Sequence, residues 1–449
     1  MSGLAIPATD RPELSVVMVT LNAWEWTERA LAALLEHTEA PLELIAVDNA
    51  STDGTLGGLE AVEGITLLRN PTNTGFGPAA NQGALRARAP LLLLLNTDAL
   101  VHPGWLPPLR AVLEAEPDVA AVAPRLLHPD GSLQEAGSIL WGDAEVWPYG
   151  PTGDAAAPEF RFRRDVDYAS AACLLLRRSA FVEAGGFDPA YAPAYFEDVD
   201  LCLRLWESGQ RVVCQPRSEV THAGGASSDP AARARLIERN RPILAGRWRR
   251  LLAGRPPSPV HWGPRDVLLG RDLRCDDRIL VAGDFVPDGL DPALRHLLGR
   301  LVRGWPRARV TYLALDPLDA AAAAEPLLAG GVEVAWPGDA AAWLETRRHH
   351  YGLVVAASWA AASPPVRGLL DATQPLAHRA VLLDGAAPGD LAGEGYAAAV
   401  RSARLVLCAG TAARDAALVA GATGEVVLLE DAGALDRALA PLGMAPSFR

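Results

Sequence analysis

The sequence predicts an α/β protein in which one parallel-sheet unit is followed by a second, and three observations carry that reading. The chain has 449 residues, of which 50% are hydrophobic and 21% charged. At about 150 residues per domain this is material for two or three packed cores, not for a disordered or fibrous chain. Short apolar runs alternate with helically spaced segments from residue 14 onward, the pattern of parallel strands covered on both faces. The alternation lapses near Asp229 and restarts at Arg278.

Leu14–Thr20 is a nearly unbroken apolar run and reads as the first buried strand. Trp24–Glu36 carries apolar residues at helical spacing. Leu42–Asp48, Ile65–Arg69 and the leucine run Leu91–Leu95 are the next three strands, with a helix over Pro78–Ala87 before the last. Trp105–Glu116 reads as a helix and Val119–Pro124 as a fifth strand. Arg125–Asp167 is less regular and rich in Gly, Pro and Trp. A strand at Tyr168–Leu176 follows, then a short helix from Ser179, a break at Gly185-Gly186 and a helix near Val199–Ser208. Asp229–Arg274 reads as a helix and then a linker. Its Arg247, Arg249, Arg250 and Arg255 form either a solvated face or a basic surface for a membrane or an anionic acceptor. Beyond Arg278, strands at Ile279–Ala282, Val310–Leu315, Val332–Ala335, Leu353–Ala356, Ala380–Leu383 and Leu405–Cys408, with a helix at Pro292–Arg303, predict a second, Rossmann-like unit that does not repeat the first.

Composition narrows the function classes. There are 54 acidic and 41 basic residues, a formal charge of −13, which argues against general nucleic-acid binding. The cysteines Cys173, Cys202, Cys214, Cys275 and Cys408 contain no CxxC pair, so neither a disulfide framework nor a zinc knuckle is expected, and a reducing compartment fits. Residues 1–13 include Asp10, Arg11 and Glu13 and show no signal-peptide core. Leu91–Leu95 falls far short of the ~20 residues that span a bilayer. The expectation is a cytoplasmic protein with at most peripheral contact at the inner face of the membrane, free to form a homo-oligomer.

Ligands of an open parallel sheet bind beyond the carboxyl ends of its strands. There this sequence gathers Thr20 and Asn22, then Asp48-Asn49-Ala50-Ser51-Thr52-Asp53-Gly54, then Asn73-Thr74-Gly75-Phe76-Gly77 and Asn81, then Asn96-Thr97-Asp98. Any one of these is ordinarily a turn or a helix cap; four at successive strand ends predict a binding cleft. Gly75–Ala80 comes near GxGxxA, but it follows the third strand and contains Pro78, so it is no dinucleotide fingerprint, and GxxxxGK[ST] is absent. A second cluster, Tyr195-Phe196-Glu197-Asp198-Val199-Asp200-Leu201, with Arg204 and then His222, sets three acids within four residues. They are helix-start acids favoured by the macrodipole, or a general base beside a bound metal.

Taken in order, these motifs resemble inverting glycosyltransferases of family 2. Val17–Asn22, Val47–Gly54, Asn73–Gly77, Asn81-Gln82-Gly83 and Leu95–Asp98 begin the pattern. His128-Pro129-Asp130-Gly131-Ser132-Leu133-Gln134, Leu176–Phe181, Gly185-Gly186-Phe187-Asp188 and Phe196–Leu205 complete it. The likeness covers about residues 12–245 and is to the rhamnosyltransferase-like branch. It implies a GT-A fold, a nucleotide-diphosphate-sugar donor, and Mg²⁺ or Mn²⁺. It implies transfer of rhamnose or another hexose, with inversion, to a glycan, lipid-linked, protein or small-molecule acceptor. It puts Thr20, Asn22, Asp48, Asn49, Asn73, Gly75, Asn81, Asn96 and Thr97 on the donor and Asp98 and His222 on the metal. Asp198 takes the place of the catalytic base, with Glu197 as the second candidate. Thr97 stands where relatives often carry Pro, Ala171 where Gly is frequent, and Tyr191–Ala194 is altered. The last two lie on the acceptor side, so the acceptor cannot be copied from relatives. The competing reading is an inactive sugar-nucleotide-binding scaffold, against which Asp98, Asp198 and His222 argue. A nucleotidyltransferase would need a basic Gly-rich loop after the first strand, which is missing.

Residues 278–420 resemble, more weakly, the N-terminal Rossmann half of GT-B glycosyltransferases. The cues are Ile279–Asp284 with Val286-Pro287, Gly331–Val334 and Arg404–Cys408. About forty residues follow Cys408, too few for a second Rossmann half. The expected division is a catalytic domain at 1–245, an Arg/Pro-rich linker at 246–276 and an accessory domain at 277–449. Asp284 and Asp288 are in a turn or a ligand loop.

Overall fold

The computed structural model describes residues 4–151, 153–224, 229–259, 264–283, 285–286, 289–305, 307–315, 320–347, 350–357, 378–383, 400, 403, 405–409 and 411–439. The chain divides into two compact units, residues 1–160 with 164–261, and residues 161–163 with 262–449.

The first unit starts with β1 (Leu14–Thr20), α1 (Trp24–His37), β2 (Leu42–Asp48), α2 (Thr55–Glu60), β3 (Thr66–Arg69), α3 (Phe76–Ala84), β4 (Leu91–Leu95) and β5 (Ala99–Val101). It continues with α4 (Leu106–Ala115), β6 (Val119–Leu127), β7 (Leu133–Glu135), β8 (Ser138–Leu140), β9 (Val146–Pro148) and β10 (Arg164–Asp165). Then come β11 (Cys173–Arg177), α5 (Arg178–Glu183), α6 (Glu197–Glu207), β12 (Arg211–His222), α7 (Pro230–Arg247) and α8 (Arg249–Leu252). The main sheet runs β10-β12-β6-β11-β4-β1-β2-β3, with β5 on β12 and β7 on β6. Leu93 and Leu95 of β4 pack in one core with Leu31 and Leu34 of α1 and Leu109 of α4. Burying each such leucine is worth about 1.5–3 kcal/mol. α3 lies so close to β1 that a Cβ on Gly83 would come within 2.5 Å of Val17 Cγ1.

The sheet is parallel over β1–β4, as expected, but not throughout: β5, β7 and β10 pair antiparallel with their neighbours. β11 runs antiparallel to both of its neighbours, β4 and β6. Its first residue, Cys173, pairs with Leu95, the last of β4. The reversal therefore brings the residues that precede β11 to the same edge as the residues that follow β4. β11 also begins five residues later than the apolar run does. The reason is visible in the backbone: the amides of Ser170 and Ala171 donate to the side chains of Glu135 and Asp198 and not to a ladder. β12 has no counterpart in the sequence reading. Arg211, Gln215, Arg217, Ser218 and Glu219 interrupt its apolar pattern, and its pairing with β6 shifts register between Cys214 and Glu219.

The stretch 246–276 is divided between the units. Its first part packs on the first unit, where Arg255 Nη1 is 2.7 Å from Asp167 Oδ2 and both side chains are buried. A helix at Pro264–Arg271 belongs to the second.

The second unit is a seven-stranded parallel sheet. Its spatial order is Glu333–Ala335, Ala308–Ala314, Asp277–Gly283, Leu353–Ala357, His378–Leu383, Leu405–Cys408, Glu425–Leu428. Along the chain that is 3-2-1-4-5-6-7, a doubly wound order. A buried ion network closes the amino end of this sheet. Arg271 pairs with Glu333 (2.7 Å), and Arg309 (3.0 Å) and His350 (3.0 Å) with Asp272. Burial alone would raise the Asp272 carboxyl; the Arg271 and Arg309 charges hold it well below its usual range. Ligands of such sheets bind at the opposite, carboxyl end. Asp284 and Asp288 lie outside the described residues.

Candidate active site

Thr20 closes β1 and Asp48 closes β2, side by side in the register of the sheet. Thr20 Oγ1 donates to Asp48 Oδ1 (3.2 Å), and the Ser51 amide donates to Asp48 Oδ2 (3.2 Å). Asn22 has a left-handed backbone, φ 61°. Its amide donates to Ser51 Oγ (2.9 Å), and its side-chain oxygen accepts from the Thr52 amide (2.8 Å). The loops after β1 and β2 are thus stitched into one wall.

The side-chain amide of Asn49 and the side-chain oxygen of Asn73 are engaged within the protein. Asn49 Nδ2 donates to Asn73 Oδ1 (2.8 Å) and to the Gly75 carbonyl (3.2 Å), and Asn49 Oδ1 accepts from Thr74 and Asn70. These bonds set the course of the loop that starts α3. Gly75 sits there at φ 93°, and a Cβ on it would meet Pro193 Cα at 2.6 Å. No other residue combines that backbone with that closeness. Asn81 of α3 clasps the backbone of Phe187: its Nδ2 donates to the Phe187 carbonyl and its Oδ1 accepts from the Phe187 amide, both at 2.8 Å. These three asparagines shape the cleft.

Asn96, Thr97 and Asp98 follow β4, and Thr97 and Asp98 are buried. β12 returns alongside with His222 opposite Ala99. His222 Nε2 lies 3.3 Å from Asp98 Oδ1 and 3.5 Å from Asn96 Nδ2. Gln134 of β7 fixes the imidazole. Gln134 Nε2 donates to the His222 carbonyl (3.2 Å), which turns Gln134 Oε1 toward His222 Nδ1 at 2.7 Å. An amide oxygen only accepts, so Nδ1 carries a proton and Nε2 is the ring atom turned toward Asp98.

A hard divalent cation takes carboxylate oxygen and tolerates imidazole. Asp98 and His222 supply one of each at a separation close to the ~3 Å between adjacent ligands of an octahedral ion with bonds of about 2.1 Å. Among the described residues no cluster of three or more His, Cys, Asp or Glu capable of holding a metal is present. The donor set suits Mg²⁺ or Mn²⁺.

The acids of α6 sit across from this pair. Tyr195 and Phe196, just before the helix, have φ of 76° and 74°. Two successive left-handed residues cost roughly 1–3 kcal/mol each. Asn240 of α7 holds them, its Nδ2 lying 2.9, 2.9 and 2.8 Å from the carbonyls of Tyr191, Ala194 and Tyr195. Asp198 Oδ1 accepts from the Val199 amide (2.8 Å) and Oδ2 from the Ala171 amide (3.3 Å). Burial raises the Asp198 carboxyl against those two bonds. Burial, with the Asp198 charge added, raises Glu197 much further. Of two adjacent buried carboxyls one ionises first, and here that is Asp198. Glu197 Oε2 has no hydrogen-bond partner among the described residues. Asp200 is fully buried and serves structure. It accepts from Trp248 Nε1 (2.9 Å) and Tyr191 Oη (3.2 Å) and pairs with Arg204 (2.8 Å) and Arg247 (3.3 Å).

One segment joins the two halves of the site. The Asn96 amide donates to the Ala172 carbonyl (2.9 Å), while the Ala171 amide donates to Asp198. The same turn binds a residue that sequence reasoning passed over. Glu135, next to Gln134, accepts from the Ser170 amide (3.2 Å). Burial pushes its carboxyl up to about 7, against the Ser170 bond and with the Asp198 charge adding to the rise. Its place directly after the His128–Gln134 motif was the available signal.

Comparison with known proteins bears on this site. The family described as Glycosyl transferase family 2 matches residues 15–185, a span that includes Asp98 and stops short of Asp198 and His222. The N-acetylglucosaminyl-diphospho-decaprenol L-rhamnosyltransferase of Mycobacterium tuberculosis is 32% identical over 285 residues, covering 57% of this chain and 90% of that protein. The O-antigen biosynthesis protein RfbC of Myxococcus xanthus is 32% identical over 233 residues, covering 49% of this chain and 18% of that one. Among solved structures, GalNAc-T7 with UDP, GalNAc and Mn²⁺ aligns at a TM-score of 0.40 and 19% identity, covering 51% of this chain and 48% of that chain. With its strand-end motifs in place and nearly the whole of the mycobacterial relative matched, the chain belongs to glycosyltransferase family 2.

Proposed function

We propose that the chain transfers a sugar, rhamnose or another hexose, from a nucleotide-diphosphate donor to an acceptor hydroxyl, with inversion at the anomeric carbon. The observation that carries this is the joint anchoring of Asn96 and Asp198 on Ala172 and Ala171. The loop that carries Asp98 and the buried Asp198 carboxylate thus share one short turn, which supports a reading in which both act on the same donor and acceptor.

The loops of Thr20, Asn22 and Asp48 form the wall for the nucleoside. Asp98 and His222 would hold Mg²⁺ or Mn²⁺, which when bound neutralises charge on the departing diphosphate. Asp198 takes the proton of the acceptor hydroxyl as that oxygen bonds to C1 and the C1–diphosphate bond breaks, leaving the nucleoside diphosphate. Its raised carboxyl is a stronger base than an ordinary aspartate. Burial raises the Glu197 carboxyl further still, which leaves Asp198 the readier of the two to act as the base. The mycobacterial relative is named for a rhamnosyl transfer to a lipid-linked diphospho-sugar, which favours that acceptor class. The second unit, whose buried charges lie away from its ligand edge, is read as an accessory domain.

The test is a panel of nucleotide sugars with Mn²⁺, read by thermal shift and then by product formation. The anomeric configuration of the product is read by NMR. Retention of configuration, or stabilisation by no nucleotide sugar, would overturn the proposal.

A further inference from the structure

Residues 230–252 hold seven arginines and one glutamate, a net charge of +6 in a chain of −13. They form α7 and α8. One side of α7 is spoken for: Asn240, Leu244 and Trp248 are buried against the first unit. The other side carries Arg235, Glu238, Arg239, Pro242 and Gly246, whose helical spacing puts them on one face; Arg249, past the break at Trp248, begins α8 and is exposed too. Those five are exposed, as are Arg250 and Ile243, the latter at 37%.

The arginines on this face differ from those behind it. Arg241 pairs with Glu145, and Arg247 pairs with Asp188 and Asp200. Arg239 reaches a backbone carbonyl, that of Ala192. Arg235, Arg249 and Arg250 have no acidic partner among the described residues. The guanidinium groups outnumber the one exposed carboxylate of the face, that of Glu238, and with an exposed isoleucine beside them they complement an extended anionic plane. The face is also tied to the site. Asn240, on the same helix, holds the carbonyls of Tyr191, Ala194 and Tyr195 that lead into Glu197 and Asp198. Arg233, two turns earlier, lies 5.7 Å over the Tyr195 ring.

We propose that this outer face of α7 and α8 docks the protein on an anionic lipid surface, laying the acceptor side of the cleft against the membrane. The inference is independent of which sugar or acceptor the site uses. Among the described residues no helix is long and apolar enough to cross a membrane, so the attachment is electrostatic and reversible. A basic residue at such a surface is worth about fivefold in binding, and the attraction fades with salt.

The test is sedimentation of the full chain with vesicles, without any substrate. Vesicles of phosphatidylcholine with about a third phosphatidylglycerol are expected to carry the protein down at low salt and release it at high salt, while pure phosphatidylcholine leaves it in solution. The triple variant Arg235→Glu, Arg249→Glu, Arg250→Glu is expected to lose about a hundredfold or more in binding. A matched variant, Arg29→Glu, Arg86→Glu, Arg295→Glu, makes the same charge change elsewhere and is expected to bind within a few-fold of the parent. Circular dichroism and melting of both variants verify folding. Absence of binding by the parent to anionic vesicles, equal binding to neutral ones, or an equal loss in both variants would each overturn the proposal.

Discussion

His222 Nε2 stands 3.3 Å from Asp98 Oδ1, with the opposite nitrogen of the ring held by Gln134 at 2.7 Å. A ring so oriented is a ready ligand, and its support can be removed separately. Gln134→Leu is expected to weaken Mn²⁺ binding about 10–100-fold by freeing the imidazole. Asp98→Asn and His222→Ala are expected to weaken it at least as much and to weaken donor binding with it. Mn²⁺ titration followed by electron paramagnetic resonance, with and without nucleoside diphosphate, checks this.

Asp198→Asn keeps size and removes the proton acceptor. Transfer is expected to fall by more than about 10²-fold, within the usual general-base range of about 10²–10⁴, while donor and metal affinities stay near the parent values. Glu197→Gln also keeps size and is expected to lose far less. Calorimetric binding beside initial rates distinguishes the two; a dead Glu197→Gln with an active Asp198→Asn would reverse the assignment.

Asp200 is expected to act on stability alone. Its carboxylate is fully buried and compensates Arg204 and Arg247 while accepting from Trp248 and Tyr191. Asp200→Ala strands those partners and is expected to cost about 3–5 kcal/mol, as removal of one member of a buried pair does. Urea unfolding followed by tryptophan fluorescence measures it.

Glu135 predicts a pH dependence. Its folded value is about 7 against an ordinary 4.5, so the folded state binds the proton more tightly than the unfolded chain. The resulting stabilisation is complete below about 4.5 and is lost as pH rises through about 7. Glu135→Gln lacks it. Its melting temperature is expected to vary less between these values than that of the parent, by no more than about 3 kcal/mol in stability terms. Parallel melting curves across the range decide the matter.

The half of the site that follows β1–β4 was legible because each strand is a short apolar run that stops at polar residues. An uninterrupted run such as Leu91–Leu95 states both its burial and its end. Asp198 was legible because three acids crowd a helix start. The reversal of β11 was not, since an apolar run carries no direction. Nor was β12, whose arginines and glutamate break the apolar pattern of a strand that is mostly buried. Without those two elements the meeting of His222 with Asp98, and of Asp198 with Ala171, cannot be read from spacing. Glu135 was passed over because β7 is only three residues long and shows no periodicity.

The grip of residues 247–255 on the first unit decides where this chain can be cut. Trp248 donates to Asp200, and Arg255 neutralises the buried Asp167. A fragment stopped at residue 245, where family likeness in the sequence fades, would strip both carboxylates of those partners and loosen the helix that carries Asp198. One carried through Pro259 keeps them, and is the shorter piece from which a working first unit is to be expected.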